Sequence, residues 1–92
     1  MTNLSGHYEK VDERLQAIMV GVRVALEPEK LRVAERLAHH GEYGEALYAI
    51  AWLVVEEDAR VSAPVLTEIV ALSREMGTEK DLPLDLLTKR AT

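Results

Sequence analysis

The chain has 92 residues, 48% of them hydrophobic and 29% charged, with a formal net charge of −5 and no cysteine. That length argues for one domain with one core and a small stability margin, in a soluble globular protein free of low-complexity tracts. The absence of cysteine excludes disulfides, thiolate metal sites and a thiol nucleophile and fits a reducing cytosol, while the acidic balance argues against a phosphate-binding surface.

The N-terminal stretch MTNLSGHYEKVDERL has no basic region followed by an apolar one, so no signal peptide is expected. Residues 1–7 are expected to be frayed or loosely packed. From there Val11, Leu15, Ile18, Met19, Val22 and Leu26 step by threes and fours, the period of an amphipathic helix. Gly21 weakens that helix slightly, and Glu27-Pro28 closes it, because the residue before proline avoids the helical region. Pro28 suits the first turn of a second helix whose buried stripe is Leu31, Ala34, Leu37 and Ala38, with Gly41 as its left-handed stop.

The third helix spans roughly Glu42 to Asp58 and contains ten uncharged residues in a row, Ala46 to Val55. That run is about half of the ~20 residues needed to cross a bilayer, and its acidic flanks have the wrong sign for an anionic lipid surface. Ser62 is a candidate N-cap for a fourth helix, with Pro64 in its first turn and Val65, Leu66, Ile69, Leu72 and Met76 inward, ending at Gly77. Residues 78–92 are polar apart from Leu82, Leu84, Leu86 and Leu87. Pro83 can open one short fifth helical turn there, or the tail can be frayed. No segment alternates as a strand does, and short connections make sequential helices antiparallel neighbours. The expected architecture is all-α, a small four-helix bundle in a single domain.

Counting 100° per residue divides the third helix into two stripes. Tyr43, Ala46, Leu47, Ile50, Leu53 and Val54 form a core face; Glu45, Tyr48, Ala49, Trp52 and Glu56 lie opposite. The second stripe has two readings. Tyr48 and Trp52 fill gaps inside a helix buried nearly all round, or they are anchors on an exposed surface with an acidic rim, the residue types that dominate interface hot spots. From Leu37 to Ala59 the charged residues are Glu42, Glu45, Glu56, Glu57 and Asp58, with no Lys or Arg, so the whole formal excess sits in this segment. Acids in the last turn of a helix oppose its dipole at roughly 0.3–1 kcal/mol each when exposed. Either Arg60 compensates them at a solvated helix end, or they meet a basic partner.

Chemistry is sparse. His39-His40-x-Glu42 is the only cluster of metal-ligand type, and adjacent helical histidines point about 100° apart with no second pair to complete a site. Histidines at a helix end near free carbonyls explain them more simply. His7 is remote, and Arg32 with His39 has a spacing similar to that of helical ribonuclease domains, which are longer and pair the motif across a dimer. Ser5, Ser62 and Ser73 lie in no nucleophile elbow, there is no glycine-rich phosphate loop, and Glu56 and Glu57 face different directions. An enzyme, a metal and a cofactor are not expected.

The stretch LAHHGEYGEALYAIAWLVVEEDARVSAPVLTEIVALSREMG, from Leu37 to Gly77, resembles the MafI-type immunity proteins. These small helical proteins are made beside the polymorphic, contact-dependent toxins of bacteria. The likeness lies in the His40-Gly41-Glu42 turn, Gly44 with Ala46-Leu47, Glu56, the Val61-Ser62 break, and Ile69, Leu72 and Met76-Gly77. It covers a little under half of the chain. GEYGEAL is also similar to the turn of a tetratricopeptide repeat, although no second copy follows. The immunity resemblance implies a cytoplasmic, monomeric inhibitor that binds a cognate toxin domain, often a basic nuclease, one to one, by covering its active site or substrate groove. On that reading Glu42, Glu45, Tyr48, Trp52, Glu56, Glu57 and Asp58 meet the toxin, and neither nucleic acid nor membrane is a partner. The alternative is a helical interaction or regulatory module with a non-toxin partner.

Overall fold

The computed structural model describes the backbone of residues 2–91 and the side chains of residues 8–91. Its elements are α1 (Thr2–Val22), a 3-10 turn (Pro28–Leu31), α2 (Arg32–His39), α3 (Tyr43–Glu56), α4 (Ala63–Met76), a 3-10 turn (Glu79–Asp81) and α5 (Leu84–Thr88). Four helices form an all-α bundle and α5 adds the short fifth turn after Pro83. Among the described residues there is no strand, only an isolated bridge between Val61 and Ala91. No helix is long and apolar enough to cross a membrane.

Three helices end by the same device. The chain turns left-handed at Gly41 (φ 78°), Asp58 (φ 51°) and Gly77 (φ 72°). At each, the next amide reaches back to a carbonyl five residues earlier: Glu42 to Leu37, Ala59 to Val54 and Thr78 to Ser73, at 2.8, 2.9 and 2.9 Å. The left-handed residue itself donates to the carbonyl three residues back: Gly41 to Ala38, Asp58 to Val55 and Gly77 to Arg74. These paired bonds are Schellman motifs, which satisfy carbonyls that the helix leaves free. Gly41 and Gly77 take the left-handed turn without a Cβ penalty. The third helix therefore closes two residues before its expected end, and Asp58 belongs to its stop.

The other boundaries differ in detail. The first helix ends at Val22, not at Glu27-Pro28, and Leu26 reaches the core from the loop. Pro28 opens a 3-10 turn before α2 begins at Arg32. Ser62 holds the extended N-cap position, yet its hydroxyl makes no capping bond; its carbonyl accepts from the amides of Val65 and Leu66. The fraying expected for residues 1–7 lies largely outside the described residues, since only the backbone of 2–7 is described, as part of α1.

The core is one cluster. Leu15, Ile18, Met19 and Val22 of α1 meet Leu47, Ile50 and Val54 of α3, with Ile69 and Leu72 of α4 and Leu87 of α5. Ser73 is buried as well, its hydroxyl donating to the Val70 carbonyl at 2.7 Å. Arg14 binds α1 to α4 through Glu68 and Glu75, at 2.5 and 2.7 Å. Its hydrogen bonds to Glu68 and then Glu75 raise its pKa, so it stays charged wherever the protein is folded. Lower down the same contact, a Cβ on Gly21 would stand 2.5 Å from Val65 Cγ2. At Gly21 the Val65 side chain of α4 thus leaves no room for a Cβ unless something shifts.

Candidate functional site

The outward face of α3 is built by subtraction from its core face. Ala46, Leu47, Ile50, Ala51 and Val54 are buried, while Tyr43, Ala49, Leu53 and Val55 are half-buried against the core. At 100° per residue the buried set centres near Val54, which puts Trp52 roughly opposite it and Glu45, Tyr48 and Glu56 within ~40° of Trp52. Tyr48 keeps 46% of its surface exposed and Glu45 and Glu56 are exposed. Glu45, Tyr48 and Glu56 of the expected outward stripe are exposed, Trp52 is half-buried and Ala49 packs against the core, whose face is rotated slightly toward Ala51. Alanine carries too weak an apolar signal for spacing alone to assign Ala51 inward.

Trp52 is half-buried, with its ring centroid 6.3 Å from that of Tyr48 and the two planes tilted by 57°. Neither extreme of the two readings describes it: it is neither sealed in the bundle nor standing free. Its indole Nε1 is enclosed and has no hydrogen-bond partner among the described residues. A buried N–H left without a partner costs about 1–3 kcal/mol.

The acids of the stripe divide into two groups. Glu57 pairs with Lys30 at 3.1 Å, and Asp58 with Arg90 at 3.0 Å. Arg90 also donates through Nη2 to the Val55 carbonyl at 3.2 Å. Its Nε approach to Asp58 is a charge contact, not an aligned hydrogen bond. These two cations offset acids that the sequence places against the α3 dipole, so Glu57 and Asp58 have a structural role at the helix end. Arg60, the expected local compensator, instead donates to the Lys89 carbonyl at 3.2 Å. Glu42, Glu45 and Glu56 are exposed and have no ion-pair partner among the described residues. Glu45 sits in the first turn, where the dipole favours an acid; Glu56 sits in the last turn with nothing to offset it.

The N-terminal end of the stripe opens into a cleft of about 470 Å³ lined by Gly44, Glu45, Tyr48, Thr78 and Asp81. Sequence spacing did not bring Thr78 and Asp81 into this site, because only the folding of the α4–α5 connection onto α3 places them there. A second cleft, about 330 Å³, lies between α4 and α5 and is mostly apolar, with Leu66, Val70, Ala71 and Leu87 in its walls.

The histidine cluster stays apart from these features. His39 and His40 are exposed at the end of α2, their rings 5.4 Å apart and edge-on. Arg32 lies at the other end of α2, about two turns away. Among the described residues no three His, Asp or Glu side chains gather in a metal-binding group. His7 lies on the α1 backbone and its side chain is outside the described residues. No protein-family model, curated protein or solved structure matches the chain.

Proposed function

We propose that the chain is an immunity-type inhibitor, a non-enzymatic, cytoplasmic helical protein that docks the outward face of α3 on a basic toxin domain, most naturally a nuclease. The observation that carries this reading is the Glu45–Tyr48–Trp52–Glu56 stripe, in which two aromatic rings stand between carboxylates that have no ion-pair partner among the described residues. The exposed ring of Tyr48 and the half-buried ring of Trp52 supply large, rigid contact area at small entropic cost, the property that makes Tyr and Trp hot spots. Unpaired acids would speed capture of a phosphate-binding, and therefore basic, domain. The resemblance of Leu37–Gly77 to MafI-type immunity proteins supports the same assignment and supplies the word immunity, which the charge pattern alone does not. Glu42 extends the acidic rim, whereas Glu57 and Asp58 contribute chiefly to the α3 terminus through Lys30 and Arg90.

The test takes the toxin domain that this reading expects to be encoded beside the gene, with its activity and affinity measured against wild type and Trp52→Ala. Loss of the anchor should weaken binding by about 2 kcal/mol, roughly thirtyfold, and relieve inhibition in proportion. If Trp52→Ala unfolds the chain but leaves binding per folded molecule unchanged, the ring is core and the docking face is elsewhere. The rival reading, a regulatory module for a non-toxin helix or peptide, draws on the apolar cleft between α4 and α5. Salt-insensitive binding to such a partner would favour it.

A further inference from the structure

The outward face of α3 does not stop at Glu45. It continues into the cleft whose walls are the first turns of α3 and the 3-10 turn after α4. Two carboxylates from separate elements, Glu45 and Asp81, line this space together with the half-exposed ring of Tyr48. Neither acid has an ion-pair partner among the described residues. The far wall is held by backbone: the Thr78 amide donates to the Ser73 carbonyl at 2.9 Å, and the Asp81 amide donates to the Thr78 carbonyl at 3.0 Å. The two walls are thus set before any partner arrives.

We propose that this cleft receives one arginine side chain of the partner protein, with its guanidinium against the Tyr48 ring and its N–H groups on the carboxylates of Glu45 and Asp81. The inference rests on the docking face proposed above and names the chemistry at one end of it. A planar cation fits these features better than a compact one. Guanidinium stacks on an aromatic face and carries five donors, enough to serve two carboxylates at once, whereas an ammonium presents a point charge to one. With a volume of about 470 Å³ and an open mouth, the cleft also admits the methylene stem beside the ring.

The proposal can be tested without knowing the partner. The probes are N-acetyl-arginine methylamide, its lysine counterpart and its neutral citrulline counterpart, titrated at constant ionic strength and followed by amide chemical shifts. The arginine compound should move Gly44, Glu45, Tyr48, Thr78 and Asp81 saturably, the lysine compound several-fold more weakly, and the citrulline compound not at all. Asp81→Asn and Glu45→Gln, both at exposed positions, should each weaken the arginine probe at least fivefold while the chain stays folded. Glu45→Gln should lower the melting temperature by a few degrees at most, because it also removes an acid from the first turn of α3. Equal response to citrulline, shifts centred elsewhere, or indifference to Asp81→Asn would overturn the assignment. The toxin domain separates this failure from that of the docking face. If Trp52→Ala weakens toxin binding and Asp81→Asn does not, the arginine cleft falls and the face stands; if neither variant does, both fall.

Discussion

Asp58 shows how a single residue can be misread from sequence and accounted for by structure. In a run of three acids at a helix end it looks like surplus charge awaiting a partner. In the fold it is the left-handed residue of a Schellman motif, and its carboxylate faces Arg90. Aspartate tolerates this backbone region better than most residues with a Cβ, because its short polar side chain bonds locally. Asp58→Ala should therefore destabilise the protein by about 1–2 kcal/mol, several degrees in melting temperature for a chain of this size. Asp58→Gly removes the backbone strain while losing the ion pair, and should lie within about 0.5 kcal/mol of wild type. Thermal melts of the two variants check this, and equal losses would refute the left-handed role. Glu57 was illegible for a similar reason: its partner Lys30 is distant in sequence, and local rules register only nearby charge. Glu56 remains as the sequence presents it, an acid against the dipole with no ion-pair partner among the described residues.

At the scale of elements, the apolar spacing of α1 was legible up to Val22, since Val11, Leu15, Ile18, Met19 and Val22 are all buried, whereas Leu26 is buried from the loop beyond the helix. The ends of α2 and α4 were equally readable, because Gly41 and Gly77 carry the left-handed signal in their identity. What spacing concealed was contact between elements. Gly21 reads as a mild flaw in α1, yet it is the gap into which Val65 of α4 fits. The methyl groups of a β-branched side chain cannot swing aside freely, so a new Cβ must push the helices apart. Gly21→Ala should cost about 1–3 kcal/mol even though alanine favours a helix by ~1 kcal/mol over glycine. Adding Val65→Ala should recover part of the loss, and a double-mutant cycle by denaturant titration measures the coupling. Additive effects would mean that the two positions do not meet.

For the molecule as a whole, the C-terminal segment decides whether the bundle is four helices with a tail or a closed unit. Polar composition left both options open in the sequence. The fold closes it: Leu87 is fully buried, Leu82 nearly so, and the Val61 amide donates to the Arg90 carbonyl at 3.1 Å. Leu87→Ala should then cost about 2–5 kcal/mol, a large share of the stability that a small domain possesses. A frayed tail would lose nothing in the same denaturant experiment. That closure also explains why the candidate site was only half legible. Periodicity alone put Glu45, Tyr48, Trp52 and Glu56 on one stripe, but the opposing wall of Thr78 and Asp81 exists only after the α4–α5 connection has folded back beside α3.

Trp52 is the only tryptophan, so its emission reports on the proposed docking face without labelling. The most direct measurement is a fluorescence titration of the chain with a tryptophan-free variant of the toxin domain that the proposed function calls for, across a range of salt. Burial of the ring at the contact should change its emission saturably, with a dissociation constant that rises steeply with salt as acidic steering is screened. A tight complex in which the Trp52 signal stays that of the free protein would contradict the account.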